Sequence, residues 1–250
     1  MAQATAIIPA RLESSRFPRK VLASDTGKPM IIHTCDAAHA AGVVRRVVVA
    51  SDSQEILDVV RKHGYEGVET SSDHENGTSR ITQAAELMGL DADSIVVNPQ
   101  ADEPELEPEL IDAVIGELIR TKAPMATAAS PMTPGDDPDD PNLVKVVVGV
   151  EGRALYFSRA NIPHNRDGSD DAPARPLKHI GLYVYRRSFL DTFAALPPTV
   201  LERTEKLEQL RAIEHRRSIA VAIRQTASRG VDTPADYAAF VERFRAKQAQ

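Results

Sequence analysis

Ile7-Ile8-Pro9-Ala10-Arg11-Leu12-Glu13-Ser14-Ser15-Arg16-Phe17-Pro18-Arg19-Lys20 is the stretch whose reading decides the fold. The apolar run Ala6–Ile8 is short and unbroken, the pattern of a buried strand. Four cations and two serines follow it directly, and Pro9 and Pro18 restrict the backbone on either side. A basic loop at the carboxyl end of a parallel strand is where an open α/β sheet meets a phosphate. The other reading of the same residues is a solvated charge run.

The chain continues with alternating strands and helices. Helices are expected over Met30–Ala41, Gln54–His63, Thr78–Met88 and Pro108–Arg120, with Gly42, Gly64 and Gly89 as stops and Pro108 as a start. Strands are expected over Arg46–Ala50, Gly67–Glu69 and Ile95–Asn98. This β-α-β-α order predicts a mostly parallel sheet with helices on both faces, an α/β/α sandwich in a single domain. The second half is less regular. Strands are expected at Met125–Pro131, Leu143–Val150, Leu155–Phe157, Ile180–Tyr185 and Ile219–Ile223. Helices are expected at Phe189–Ala195, Leu201–His215 and Pro234–Gln248. Pro134–Pro141 and Asn165–Pro176 read as loops.

The 250 residues carry 30 basic and 36 acidic side chains, a net charge of −6, which argues against a nucleic-acid partner. The cations of the first twenty residues stand out against that background and suit a small anionic ligand. No apolar run is long enough for a membrane span, and Met1–Thr5 shows no signal-peptide pattern, so the expected location is cytoplasmic. The single cysteine, Cys35, has no internal disulfide partner and reads as a packing residue on a helix.

Two acids stand at expected carboxyl ends of strands. Asp102 follows Asn98-Pro99-Gln100-Ala101, and Asp232 follows Arg229-Gly230-Val231. Two carboxylates together with phosphate oxygens make a Mg²⁺ site, because Mg²⁺ takes hard oxygen ligands and keeps several waters. Each acid reads equally as a helix cap, before Pro104 and before Thr233-Pro234 respectively.

Seven blocks of the sequence, taken together and in order, resemble the 3-deoxy-manno-octulosonate (Kdo) cytidylyltransferases. They are the opening loop, Asp73-His74-Glu75-Asn76-Gly77-Thr78-Ser79-Arg80, Gln100-Ala101-Asp102-Glu103-Pro104, Leu155 through Pro163, His179-Ile180-Gly181-Leu182-Tyr183, Leu207-Glu208-Gln209-Leu210-Arg211, and Gly230-Val231-Asp232-Thr233-Pro234. The resemblance implies a nucleotide-diphospho-sugar-transferase fold. It also implies transfer of CMP from CTP to the anomeric hydroxyl of Kdo or a close variant, with release of pyrophosphate, for lipopolysaccharide or related glycan synthesis. Catalytic roles fall to Arg16, Lys20, Asp102 and Asp232. The two aspartates would hold Mg²⁺, with a second ion near the triphosphate. Arg11, Arg16 and Lys20 match triphosphate positions. Pro9, Ala10, Asp73, Gly77, Arg80 and Gln100 complete the nucleotide side. The acid sugar would meet Gln100, Arg159, His179, Tyr183, Glu208 and Gln209, with Arg159 facing its carboxylate. The resemblance further implies a homodimer built through the irregular part, about 131–215. Without it, His179 and Tyr183 read as strand-edge packing and Glu208 as a surface charge.

Four places in the sequence depart from the family pattern. Arg19 stands where glycine is common, which points to an outward, solvated side chain. Ala101 replaces the usual glycine; at positive φ an alanine would cost about 1 kcal/mol. Pro99 stands where valine is frequent, so the strand must end there or lie at an edge. His164-Asn165 stands where Trp-Asp is frequent. The last three lie on the sugar side, so another 2-keto acid sugar, acylneuraminate-like, is the alternative acceptor. A catalytically silent nucleotide-binding homologue is the alternative outside enzymes; retention of Asp102, Asp232, Arg16 and Lys20 argues against it.

Overall fold

The buried run of the opening stretch is β1 (Ala4–Pro9), with Ala6, Ile7 and Ile8 wholly inaccessible in a computed structural model that describes residues 3–14, 16–74, 76–168 and 175–248. Ser15 and Glu75, quoted above, lie outside the described residues. β1 runs parallel to β2 (Val44–Ser51) on one side and to β4 (Ile95–Asn98) on the other, and β2 runs parallel to β3 (Glu66–Glu69). Covered on both faces, these strands are almost continuously apolar: Val48, Val49, Val96 and Val97 are fully buried. Three helices alternate with them: α1 (Met30–Ala40), α2 (Gln54–Lys62) and α3 (Gly77–Leu87). Because the strands are parallel, the segments leaving β1, β2 and β4 all start from the carboxyl edge of the sheet.

The chain divides into two compact units. The first comprises 1–112, 186–194 and 227–250, and the second 113–185 and 195–226. The part expected to be irregular, 131–215, falls in the second unit apart from 186–194. α4 (Pro108–Thr121) and α5 (Arg187–Ala195) each cross a unit boundary, and α8 (Pro234–Gln248) closes the first unit.

The second unit centres on β5 (Met125–Pro131), antiparallel to β8 (Leu177–Arg186) and parallel to β9 (Ile219–Ile223). β6 (Lys145–Val148) pairs antiparallel with β7 (Ala154–Ser158) and with the start of β8. The β5–β8 register shifts between Thr127, opposite Tyr183, and Ala128, opposite Ile180, so Gly181 and Leu182 form a bulge.

Two expectations need correction. Leu201–His215 is not one helix but two, α6 (Val200–Glu205) and α7 (Gln209–Glu214). Lys206 takes φ 55°, and the N–H groups of Lys206 and Leu207 both donate to Glu202 O, which ends α6 after one and a half turns. The spacing alone could not show this break, because Lys206 has the composition of a helix interior. The strand expected over Leu143–Val150 is confined to Lys145–Val148, since the chain turns at Gly149 and Gly152, where Gly149 N donates to Arg153 O. β4 stops at Asn98, immediately before the donor-less Pro99. Cys35 is fully buried on α1, and burial raises its thiol pKa, as a packing residue requires.

Candidate active site

A cavity of about 480 Å³ opens at the carboxyl edge of the first unit's sheet. Pro9, Ala10, Arg11, Arg16 and Lys20 of the opening segment line it, with Glu13, Ser14 and Val21; Gln100, Ala101, Asp102 and Asp232 line it from later in the chain. A third contribution comes from His74, Asn76, Gly77 and Arg80 at the start of α3. Of the expected nucleotide-side residues, Asp73 alone is absent from this lining. It sits exposed in the turn before α3, with its N–H on Ser71 Oγ.

Each contributor is positioned for a local reason. Asp102 follows the end of β4 in a tight turn closed by Glu103 N donating to Gln100 O at 3.1 Å. Ala101 is not among the residues with positive φ, so alanine is unstrained in this turn. Asp232 is tied to Asp102 through the main chain, since Val231 N donates to Asp102 O at 2.8 Å. The capping alternative does not hold for Asp232. Asp236 N donates to Thr233 Oγ1 and Thr233 N to an Asp236 carboxylate oxygen, so these two residues cap α8 themselves. Asn76 caps α3 by accepting from Ser79 N at 2.9 Å. Gly77 packs against Pro9, where an added Cβ would come within 3.2 Å of Pro9 Cγ. Arg80 is buried, donates to Thr70 Oγ1 at 2.7 Å and pairs with Asp52 at 3.3 Å.

The two carboxylates are bridged by one ammonium. Lys20 Nζ lies 2.7 Å from Asp102 Oδ2, 3.2 Å from Asp232 Oδ1 and 2.9 Å from Val231 O. Arg16 adds a second pair to Asp232 Oδ1 at 3.0 Å, with both side chains more than half exposed. A cation thus already sits between the two acids, and the donor set of two hard oxygens suits a Mg²⁺ ion that completes its shell with phosphate and water. Glu103 carries a signal that sequence reasoning missed. Burial first, then the charge of Asp102, pushes its carboxyl up to about 7, while Ser228 Oγ donates to it at 3.0 Å.

Arg19 separates from its neighbours. Its φ is 61°, in the left-handed region that glycine adopts most readily, and its guanidinium pairs with Glu55 on α2. Its side chain is a little over half exposed, in agreement with the outward placement expected.

In the second unit, His179 and Tyr183 lie on β8 with ring centroids 5.5 Å apart, and His179 meets Phe157 edge-on. Thr127 Oγ1 donates its single proton to Leu182 O at 2.8 Å, so the 2.9 Å contact with His179 Nε2 requires that nitrogen to be the donor. Nδ1 is then the acceptor. Burial holds this imidazole down at about 3 and raises the Tyr183 phenol well above its usual range, with Tyr185 and Glu208 adding to the latter. Both rings are therefore neutral hydrogen-bonding groups at pH 7. Gln209 is buried at the start of α7. Glu208 precedes it, 3.7 Å from Arg211. Arg159 follows the end of β7 and is half-buried. Gln100 belongs to the first unit and these five residues to the second.

Among the described residues no helix is long and apolar enough to cross a membrane. The family model described as cytidylyltransferase matches residues 5–219. A 3-deoxy-manno-octulosonate cytidylyltransferase from Syntrophobacter fumaroxidans (strain DSM 10017 / MPOB) is 50% identical over 236 residues, which cover 94% of each chain. The solved structure of a CMP:2-keto-3-deoxy-manno-octonic acid synthetase complexed with CTP superimposes with a TM-score of 0.91 at 35% identity, covering 98% of this chain and all of that one. A cytidylyltransferase from Leptospira borgpetersenii serovar Hardjo-bovis (strain JB197) shares the fold at a TM-score of 0.59 and 12% identity, with 95% of this chain and 84% of that one covered. With half of its residues identical to such an enzyme over nearly its full length, and the fold of a second, the chain belongs to the 3-deoxy-manno-octulosonate cytidylyltransferase family.

Proposed function

We propose that the chain transfers CMP from CTP to the anomeric hydroxyl of 3-deoxy-manno-octulosonate, releasing pyrophosphate and forming the CMP-activated sugar acid. The observation that carries this reading is the grouping of Arg11, Arg16 and Lys20 with Asp102 and Asp232 around one cavity. The sugar oxygen attacks the α-phosphorus, and negative charge grows on the non-bridging oxygens and the leaving pyrophosphate. Little covalent work is asked of the protein, so positioning and electrostatic stabilisation dominate. Arg11 and Arg16 offer planar donor forks to the triphosphate, and Lys20 a mobile point charge. Pro9 and Ala10, with the first turn of α3, form the wall for the base, where Gly77 keeps the α3 backbone close to β1.

Asp102 and Asp232 are the residues that would hold Mg²⁺. Bound there, the ion would neutralise phosphate charge and lower the pKa of a coordinated hydroxyl. Arg159 would face the sugar carboxylate, while Gln100, His179 Nδ1, Tyr183, Glu208 and Gln209 would meet the hydroxyls. A homodimer, a cytoplasmic location and a role in lipopolysaccharide or related glycan synthesis complete the proposal, on the strength of the family relationship.

The test is pyrophosphate release by the purified protein with Mg²⁺, each of the four nucleoside triphosphates and a panel of acid sugars. Turnover with CTP and 3-deoxy-manno-octulosonate alone is expected. Preferred turnover of an acylneuraminate would reassign the acceptor, and absence of turnover with every pair would refute the proposal.

A further inference from the structure

Arg159 is tethered at nearly every polar group it has. Its Nε donates to Glu205 O at 2.8 Å and one Nη to Pro141 O at 2.8 Å. Its main-chain N–H donates to Glu205 Oε2 at 3.0 Å, and its carbonyl accepts from Lys145 Nζ at 2.5 Å. Lys145 is fully buried and also donates to Asp140 O at 2.9 Å. The guanidinium is thus gripped by carbonyl dipoles, which fix its direction without cancelling its charge.

Among the described residues, Glu205 is the one that grips both the backbone and the side chain of Arg159. Its carboxylate is directed to the strand end, accepting from Ser158 Oγ at 2.6 Å, from Tyr156 at 3.4 Å and from Arg159 N. Burial works against its ionisation, but these hydrogen bonds and the nearby Arg159 charge together hold its pKa below the usual range. Its carbonyl is free for Arg159 because α6 ends there: Lys206 turns into the left-handed region and sends its own N–H back to Glu202 O. Among the described residues, no ion pair within 4 Å joins the Arg159 guanidinium to an acid.

We infer that Glu205 is a positioning residue for the acid-sugar side of the reaction, holding the Arg159 guanidinium in place with no acid paired directly to it and ready for a substrate carboxylate. The inference rests on the proposed role of Arg159. A carboxylate paired directly with the guanidinium would compete with the substrate. The Glu205 carboxylate instead anchors the Arg159 main chain and the Ser158 hydroxyl at the strand end, while its carbonyl takes the guanidinium, so the group is oriented with no acid paired directly to it.

The experiment measures KM for 3-deoxy-manno-octulosonate and for CTP, with kcat, in Glu205→Ala, Glu205→Gln, Arg159→Ala and the double variant Arg159→Ala/Glu205→Ala. Glu205→Ala should raise the acid-sugar KM by about 30-fold and leave the CTP KM within about twofold, while Glu205→Gln should show a rise of only about 3- to 10-fold. In the Arg159→Ala background the second substitution should add less than about twofold, because the group it positions is gone. Equal changes in both KM values, or multiplicative effects in the double variant, overturn the inference. If Glu205→Ala does not fold, Glu205→Gln decides alone, and an unchanged acid-sugar KM refutes the role. Arg159→Ala with an unchanged acid-sugar KM would instead overturn the reading of Arg159 itself, and the inference with it.

Discussion

Lys20 Nζ stands 2.7 Å from Asp102 Oδ2 with only 11% of the lysine side chain exposed, and the same nitrogen reaches Asp232 at 3.2 Å. The lysine neutralises two acids that would otherwise repel each other across the turn. A divalent cation entering between them must compete with that ammonium, and on the function proposed above the triphosphate supplies the place to which the ammonium can move. Lys20→Met is therefore expected to bind Mn²⁺ more tightly than the parent in the absence of nucleotide, and CTP more weakly. Electron paramagnetic resonance of free Mn²⁺ reads the first effect and calorimetry the second. Unchanged Mn²⁺ affinity would mean that the ammonium and the metal do not share a place.

Asp102→Asn keeps the shape of the turn and removes one charge. Turnover should fall by at least about 10³-fold, as expected when a group that holds the metal or the transition-state charge is lost. The turn is closed by main-chain bonds, so thermal unfolding should shift by only a few degrees. Activity within tenfold of the parent would remove Asp102 from the proposed metal site.

Arg16 and Arg19 should respond oppositely although both are exposed cations of one loop. Arg16→Ala removes a cavity-lining charge. It should raise the CTP KM by about tenfold, while losing the exposed pair to Asp232 costs about 0–1 kcal/mol of stability. Arg19→Gly relieves the left-handed strain at φ 61°, about 1 kcal/mol, at the expense of the exposed pair with Glu55. Its net stability change should be under about 1 kcal/mol, with the CTP KM unchanged. Steady-state kinetics on both variants checks the separation, and a rise in the CTP KM of Arg19→Gly would contradict it.

Stability should fall on acidification below about pH 6.5. Burial holds His179 at about 3. His33 on α1, hydrogen-bonded to Thr26, is held at about 4 by burial and then by Lys28. Unfolded histidines take up protons near pH 6.5 while these two stay neutral, so the unfolded state binds more protons between pH 6.5 and about 4. Each group then costs up to about 1.4 kcal/mol per pH unit over its window. Urea midpoints at pH 7.5, 6 and 5 should decrease in that order, and His179→Gln should flatten the decline; a decline identical to the parent's would show that His179 contributes nothing to it.

Thr127→Val tests the hydrogen-bond assignment at His179. Valine removes the acceptor for Nε2–H, leaving a buried donor unpaired, which costs about 1–3 kcal/mol or drives a change of tautomer. The acid-sugar KM is expected to rise while that for CTP stays level. A structure of this variant with the ring unmoved and both KM values unchanged would reject the proposed use of Nδ1.

Strand and helix periodicity, proline and glycine stops, and the basic run after Ile8 were readable because each is a local pattern with a local physical cause. β4 ends before Pro99 for want of a donor, and α4 begins at Pro108, the start its proline marked. Quoted in order, the motif blocks also led to the family. Contacts across long sequence separations were not readable. Asp232 reads equally as a cap until Thr233 and Asp236 are seen to cap α8 themselves. The break at Lys206 depends on an adopted φ, not on composition. Glu103 is shifted because the fold buries its carboxyl beside Asp102, and Glu205 meets Arg159 only when α6 stops where it does. By itself the sequence determined most of the elements, the basic loop after β1 and the family. The tertiary structure decided which charges face one another, because pairing energies depend on distances and burial that chain separation does not encode.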